Sequence, residues 1–245
     1  EIDHNGNINV VDLGANRLQV FTQNGEYLEG TRIENVNYHV KILNSGKLVI
    51  NGSSIDLLQG NSDGTKSLLN LVNMDQSLIK KFGKPIVFEE ERLTGSANSV
   101  NFESDNNDNI YVLYGKQNRI EKFSDNGDLL VVIDRPINIE LKYEMGTIVF
   151  DQTERPWPNV PSVSRNIGID NSGRLWILTN KKEYEEGDGF SEFLEFEVFD
   201  HDGILLYKVP FPEIYFDSMR LIDDRIYLID PFQEMCVYEY KIVEK

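Results

Sequence analysis

Apolar and polar residues alternate with a period of two along most of this chain, and Gly, Asn and Asp interrupt the alternation at short intervals. INVVD (8–12), RLQVF (17–21), KLVIN (47–51), IYVLY (110–114), RIEKF (119–123) and RLWIL (174–178) are typical runs. Between them stand DHNGN (3–7), TQNG (22–25), DNNDN (105–109), SDNG (124–127) and DHDG (200–203). Successive side chains of a strand point to opposite faces, so such runs read as half-buried strands. The interruptions read as tight hairpin turns, in which Gly and Asn supply positive φ at their central positions. No segment repeats its apolar residues at a helical spacing, so no helix is predicted.

The runs also repeat one another. GANRLQVFTQNG (14–25) returns as GKQNRIEKFSDNG (115–127), with Arg17, Phe21 and Gly25 recurring as Arg119, Phe123 and Gly127. The shared frame is turn, strand, loop, strand, turn, strand. Looser copies follow NSG at 44–46, NSG at 171–173 and the pair Asp223-Asp224. One more strand-like run precedes each turn after the first: YHVKIL, SVNFES, RNIGID and SMRLID. The unit is therefore four antiparallel strands, A to D, with A–B turns near residues 6, 46, 108, 173 and 224. Four-stranded units at roughly this period predict propeller blades, the longer gaps being insertions.

The pattern D-x-x-G-x-[IL]-x-V followed by N-R-[IL]-x-x-F-x-x-x-G resembles the NHL-type repeat of six-bladed, TolB-like β-propellers. Residues 3–28 and 105–130 carry it best, 170–206 keeps its ends, and 46–78 and 224–240 keep fragments. The predicted fold is all-β, a propeller of four-stranded antiparallel blades in a single domain spanning 1–245. Five blades are visible, at about 1–31, 36–83, 97–134, 164–210 and 216–245. The first lacks most of strand A and the last lacks strand D. We expect a truncated N-terminus and an upstream segment that completes six blades, with the hairpin-like run 137–151 as the lesser option for filling the gap.

Antiparallel order places A–B and C–D turns at one end of each blade and B–C and D–A connections at the other. The first set is short throughout. The insertions, 52–66, 83–96, 135–163 and 180–192, all belong to the second, so that face is expected to bind. His39, Asn101, Asn166 and Asp217 begin the A strands there, with Ser218 as an alternative to Asp217. They could line a polar channel or converge oxygens on a ligand or hard cation. Arg155, Trp157 and Tyr184 lie in the insertions, and Trp157, between Pro156 and Pro158, offers a stacking surface on a stiff loop.

Composition narrows the function classes. Forty-one acidic residues against 24 basic give a net charge of −17, which repels nucleic acid and anionic lipid. Cys236 is the one cysteine, so no intrachain disulfide is expected, and no run is long enough to span a bilayer. DHNGN and DNNDN lack the twelfth-position Glu of a calcium loop and read as turns. The G-x-S-x-G match at 60–64 has no strand-to-helix context, and the three histidines assemble neither a triad nor a zinc site. We expect a monomeric, non-catalytic propeller that recognises a protein or carbohydrate ligand, placed in the periplasm, at the cell surface or outside the cell. No cofactor is expected, although calcium is possible. The alternative is a calcium-dependent, lactonase- or lyase-like enzyme with its site at the channel mouth, an activity that the resemblance implies.

Overall fold

The computed structural model describes residues 2–3, 5–12, 14–32, 39–51, 66–75 and 77–243. Two compact units divide the chain: residues 1–112 with 121–130, and 113–120 with 131–245. In the first, β1 (Ile8–Asp12), β2 (Arg17–Phe21) and β3 (Tyr27–Arg32) form a three-stranded sheet. β4 (Val40–Ile42), β5 (Leu48–Asn51), β6 (Leu69–Val72) and β7 (Leu78–Phe82) form a four-stranded one. β8 (Val100–Ser104), β9 (Ile110–Tyr114), β10 (Arg119–Phe123) and β11 (Leu129–Asp134) form another, whose residues are shared between the units. In the second unit, β12 (Glu144–Phe150) pairs with β13 (Thr153–Asn159). The four-stranded sheet β14 (Ser164–Ile169), β15 (Leu175–Asn180), β16 (Leu194–Phe199) and β17 (Leu205–Pro210) follows. A three-stranded sheet of β18 (Ser218–Ile222), β19 (Arg225–Asp230) and β20 (Cys236–Lys241) ends the chain.

In every sheet, sequence neighbours are spatial neighbours, and β1–β2, β5–β6, β15–β16 and β19–β20 among others pair antiparallel. Five blade-type sheets of this kind, in a chain with little helix, make the fold an all-β propeller. The cores follow from the alternation. In the second unit Trp176, Phe196, Val198, Phe211, Met219 and Leu228 pack together. In the first, Leu18, Leu48, Ile50 and Val72 do.

The repeat's aspartate and glycine have separate tasks in the turns. Asp3 Oδ1 accepts from the backbone N–H of Asn5 and Asn7, both at 2.9 Å. Asp105 does the same for Asn107 and Asn109, Asp170 for Ser172 and Arg174, and Asp200 for Asp202 and Ile204. Where a glycine closes the turn it takes the positive φ: +83° at Gly25, +73° at Gly127 and +84° at Gly203. The expected form, with both central residues at positive φ, is thus replaced by a four-residue turn with a glycine bulge. Gly25 N–H bonds to the Thr22 carbonyl and Thr22 N–H to that of Glu26, shifting the strand register by one.

Some A–B turns also grip the preceding sheet. Asp108 stands where three other A–B turns carry Gly6, Gly46 or Gly173 and has a φ of +62°, a conformation uncommon for a non-glycine residue. Its carboxylate accepts the backbone N–H of Asn44 at 2.7 Å and of Ser45 at 2.8 Å. Asp224 accepts both the backbone and the side-chain N–H of Asn171, each at 3.3 Å.

Two elements differ from expectation. A helix, α1 (Glu91–Ala97), occupies the insertion 83–96, where no helix is predicted. Its sequence, ERLTGSA, is short and contains glycine, so tertiary bonds hold it. Thr94 Oγ1 accepts from Phe88 N–H, and Asn98 bonds both the N–H and the carbonyl of Ile86. The insertion 135–163 is not a loop but holds a two-stranded ribbon, β12–β13, offset from the run 137–151. Asp151 and Gln152 turn it with φ of +49° and +59°. Pro156 and Pro158 stand two apart on β13. Their missing N–H groups point to the ribbon's outer edge, where no ladder bond is lost.

Candidate functional site

The connection between β15 and β16 carries insertion 180–192, and it is pinned at both ends. Lys181 N–H donates to the Phe193 carbonyl at 2.8 Å and Asn180 N–H to Val163 at 2.9 Å. In the loop's middle, Asp188 accepts Lys182 Nζ and Glu185 N–H, both at 2.8 Å. The Lys182 ammonium first, then the Glu185 N–H, hold the Asp188 carboxyl below the usual carboxylate range. A single helical turn, α2 (Phe190–Phe193), then leads into β16.

This fixed loop forms one wall of a cavity of about 560 Å³, with Tyr184, Asp188, Phe190 and Phe193 lining it. Glu213 and Tyr215, from the β17–β18 connection, and Gln233, from the β19–β20 turn, complete it with Arg165 of β14. The whole lining therefore comes from B–C and D–A connections and the start of strand A. Aromatic rings build the walls: Phe190 lies 5.6 Å from Phe193 and 5.5 Å from Tyr215, and Tyr184 meets Phe193 edge-on at 5.2 Å. Tyr184 is 57% exposed. Arg165 lays its guanidinium over the Phe193 ring, at 5.3 Å, while its Nε donates to Asn180 Oδ1 at 3.1 Å. Burial holds this guanidinium below its ordinary value. An open, aromatic-lined cleft with a few fixed polar groups is a form that small-ligand sites take.

Asp230, fully buried at the end of β19, sets the turn that presents Gln233. Its carboxylate accepts the N–H groups of Phe232, Gln233 and Glu234 at 2.8–3.0 Å. Burial opposes ionisation, but these three bonds outweigh it and lower the carboxyl from its ordinary value of 3.8. A depressed carboxylate contributes order above its unfolded value and loses it as pH falls through the folded one. Protection of the Gln233 amide, measured against its intrinsic exchange rate at each pH, is accordingly expected to hold from neutral pH down to about 4 and to fall below it. In Asp230→Asn the exchange should be fast at every pH, and an acid step surviving in that variant would assign it to another group.

A second cavity of about 630 Å³ runs beside β17 and β20, lined by Trp176, Phe196, Tyr207, Val209, Tyr240 and Ile242. Its apolar lining is the flank of a sheet that has three strands among the described residues. No comparable set of convergent polar groups accompanies it.

The anticipated residues are dispersed. Tyr184 lines the aromatic cavity. Asn166, next to Arg165, is half-buried; its Nδ2 donates to the Met219 carbonyl and its Oδ1 accepts Ile167 N–H. Asp217 is exposed, and its N–H bonds the Ile229 carbonyl. In the other unit His39 is half-buried and stacks on Phe102 at 4.3 Å, and Asn101 is half-buried on β8. Arg155 and Trp157 share one face of β13, with Arg155 over the Phe150 ring and Trp157 58% exposed. Residues 52–65, with the G-x-S-x-G match and most of one insertion, lie outside the described residues, as does His4. Arg165, Phe190, Phe193 and Tyr215 were not anticipated; the aromatic pairs in GFSEF (189–193) and EIYF (213–216) were the available signal. Among the described residues no three His, Cys, Asp or Glu side chains gather closely enough to hold a metal ion. No helix among them is long and apolar enough to cross a membrane.

No protein-family model matches the chain, and no curated protein matches it. Solved structures do. A streptogramin B lyase structure aligns over 100% of this chain and 68% of its own, with 12% identity and a TM-score of 0.54. A DUF4221 member from Bacteroides vulgatus aligns over 97% of this chain and 76% of its own, with 8% identity and a TM-score of 0.57. A candidate exported protein from Bacteroides fragilis aligns over 93% and 64%, with 10% identity and a TM-score of 0.57. At these identities the likeness is one of fold, and the fold it shows is the β-propeller.

Proposed function

We infer that this chain is a non-catalytic binding propeller, and that it recognises a glycan or protein ligand through its B–C and D–A connections. The observation that carries the reading is the aromatic cavity, built from those connections and rigidly hydrogen-bonded. Its groups suit stacking and hydrogen bonding. The repeat's resemblance to NHL-type, TolB-like propellers supports a single propeller domain. A fold likeness to a candidate exported protein supports a place outside the cytoplasm.

The test follows from the lining. Removing the whole 180–192 loop would also disturb Phe193, which is a core residue, so point changes are cleaner. Tyr184→Ala and Tyr215→Ala should each weaken a captured ligand by roughly 10- to 100-fold, as loss of a stacking ring at a binding centre does. Melting temperature should change little for Tyr184, which is mostly exposed. Unchanged binding in both variants would remove the cavity from the function.

A further inference from the structure

The ribbon β12–β13 has two outer edges, and the chain treats them differently. Asp151 and Gln152 form a two-residue turn with positive φ at both positions, so Phe150 and Thr153, which flank it, are a hydrogen-bonded pair. Bonding alternates from there along the register. Ile148 with Arg155 and Gly146 with Trp157 bond inward, while Met145, Thr147 and Val149 turn their N–H and C=O groups outward. Pro156 and Pro158, opposite Thr147 and Met145, fit this phase, because proline is tolerated where the N–H would face out. The β13 edge is therefore capped by proline. The β12 edge is not: among the described residues neither a strand nor a backbone hydrogen bond meets it. It carries no charge from Met145 to Phe150 and exposes Ile148, Val149 and Phe150 by 42%, 67% and 64%. An uncharged, exposed run of β-branched and aromatic residues at an open edge is a template for another strand.

We propose that the β12 edge pairs with the same edge of a second copy of this chain, giving a two-fold dimer whose ribbons join into one sheet. The strand is self-complementary in one antiparallel register. With Thr147 opposite Thr147 of the second copy, Met145 meets Val149 and Gly146 meets Ile148. This register alone engages all the outward groups of Met145, Thr147 and Val149 in both copies, each facing pair exchanging N–H and C=O. The branched Ile148 falls opposite a glycine, on the face that also carries Trp157. Glu144 falls opposite Phe150, so no like charges are opposed. Because β13 is capped, the joined sheet offers no further edge and assembly stops at two copies. The sequence pattern suggests a monomer, and the open edge reverses that expectation. A single strand pair buries less than a standard interface, so the dimer should be weak, with a Kd of about 10–100 μM. Ligand capture by the aromatic cavity does not depend on it.

The experiment is sedimentation velocity of the whole chain across a roughly 100-fold range of concentration. Wild-type protein should pass from monomer to dimer, and added salt should strengthen the dimer by screening the repulsion between two chains of net charge −17. Thr147→Pro should stay monomeric throughout. It removes only an outward N–H, as Pro156 and Pro158 do on β13, so the ribbon itself keeps its ladder. Thr147→Val should pair like wild type. Val149→Lys, whose charge faces Glu154 across the ribbon, should weaken pairing roughly 10-fold or more. Melting curves show whether Thr147→Pro folds; if it does not, Val149→Lys decides. A wild-type monomer at every concentration overturns the inference, as does a dimer that the proline and lysine variants leave intact. A dimer weakened by salt, or larger assemblies that grow with concentration, overturns it as well.

Discussion

Replacing Arg135 with methionine is expected to cost about 3–5 kcal/mol of folding stability, the usual consequence of stripping one partner from a buried ion pair. Arg135 follows β11 and is 2% exposed, and Glu197 on β16 is 1% exposed. One Arg135 terminal nitrogen donates to Glu197 at 2.9 Å and to Thr179 at 3.0 Å, and the other bonds Ser164. The residue therefore ties the end of β11 to β14, β15 and β16 at once. Lys208 also reaches Glu197, at 3.0 Å, so the carboxylate keeps part of its compensation and the loss should fall near the lower figure. The Arg135 Nε is buried without a partner among the described residues. Replacing both Arg135 and Glu197 with methionine should therefore recover much of the loss, since well-packed apolar groups often match a buried pair. Urea melts of the two single variants and the double would decide. A double variant as unstable as the sum of the singles would show that the pair is not one coupled unit.

Valine at the three bulge glycines should produce a graded series. All three sites have positive φ, so each substitution carries the same backbone strain, roughly 1–3 kcal/mol. The surroundings differ. A Cβ at Gly25 would meet nothing within 4 Å; at Gly127 it would meet Lys80 and Phe82 at 3.3–3.4 Å. At Gly203 it would come within 2.4 Å of Ile133, a buried side chain with no room to withdraw. Gly203→Val should therefore add an overpacking cost of about 1–3 kcal/mol to the strain, Gly127→Val a smaller one, and Gly25→Val none. Thermal melts of the three would show the order. Equal losses would mean that strain alone governs these turns and that neighbouring elements yield freely.

Most of the strands were legible because alternation and turn chemistry agree along the chain. IYVLY, RIEKF and LEFEVF are strands β9, β10 and β16 as their patterns suggest. The misses have physical causes. Helix α1 carries too weak a local preference to be read, and Thr94 and Asn98 stabilise it through bonds to residues upstream. Residues 153–159 read as part of an inserted loop with prolines on either side of Trp157, yet a two-stranded ribbon has an outer edge that tolerates them. That the candidate cavity is lined from B–C and D–A connections was legible in part, because insertion length is a property of sequence. The chemistry was not. Arg165 reads as an ordinary polar strand residue until Asn180 and Phe193 are brought against it, which takes the pairing of β14 with β15 and the turn α2.

The carboxylates of Asp108 and Asp224 point to how such a chain grows. In each case the later copy of the repeat supplies the acid and the earlier copy supplies the amides. The amides at Asn44 and Ser45 belong to the main chain, so almost any sequence can offer them. A copy that carries the acid meets, in the copy before it, a backbone that is already competent. Divergence is free to act on the opposite ends of the strands without loosening the seam, and there one copy gained a helix, another a ribbon and a third an aromatic pocket.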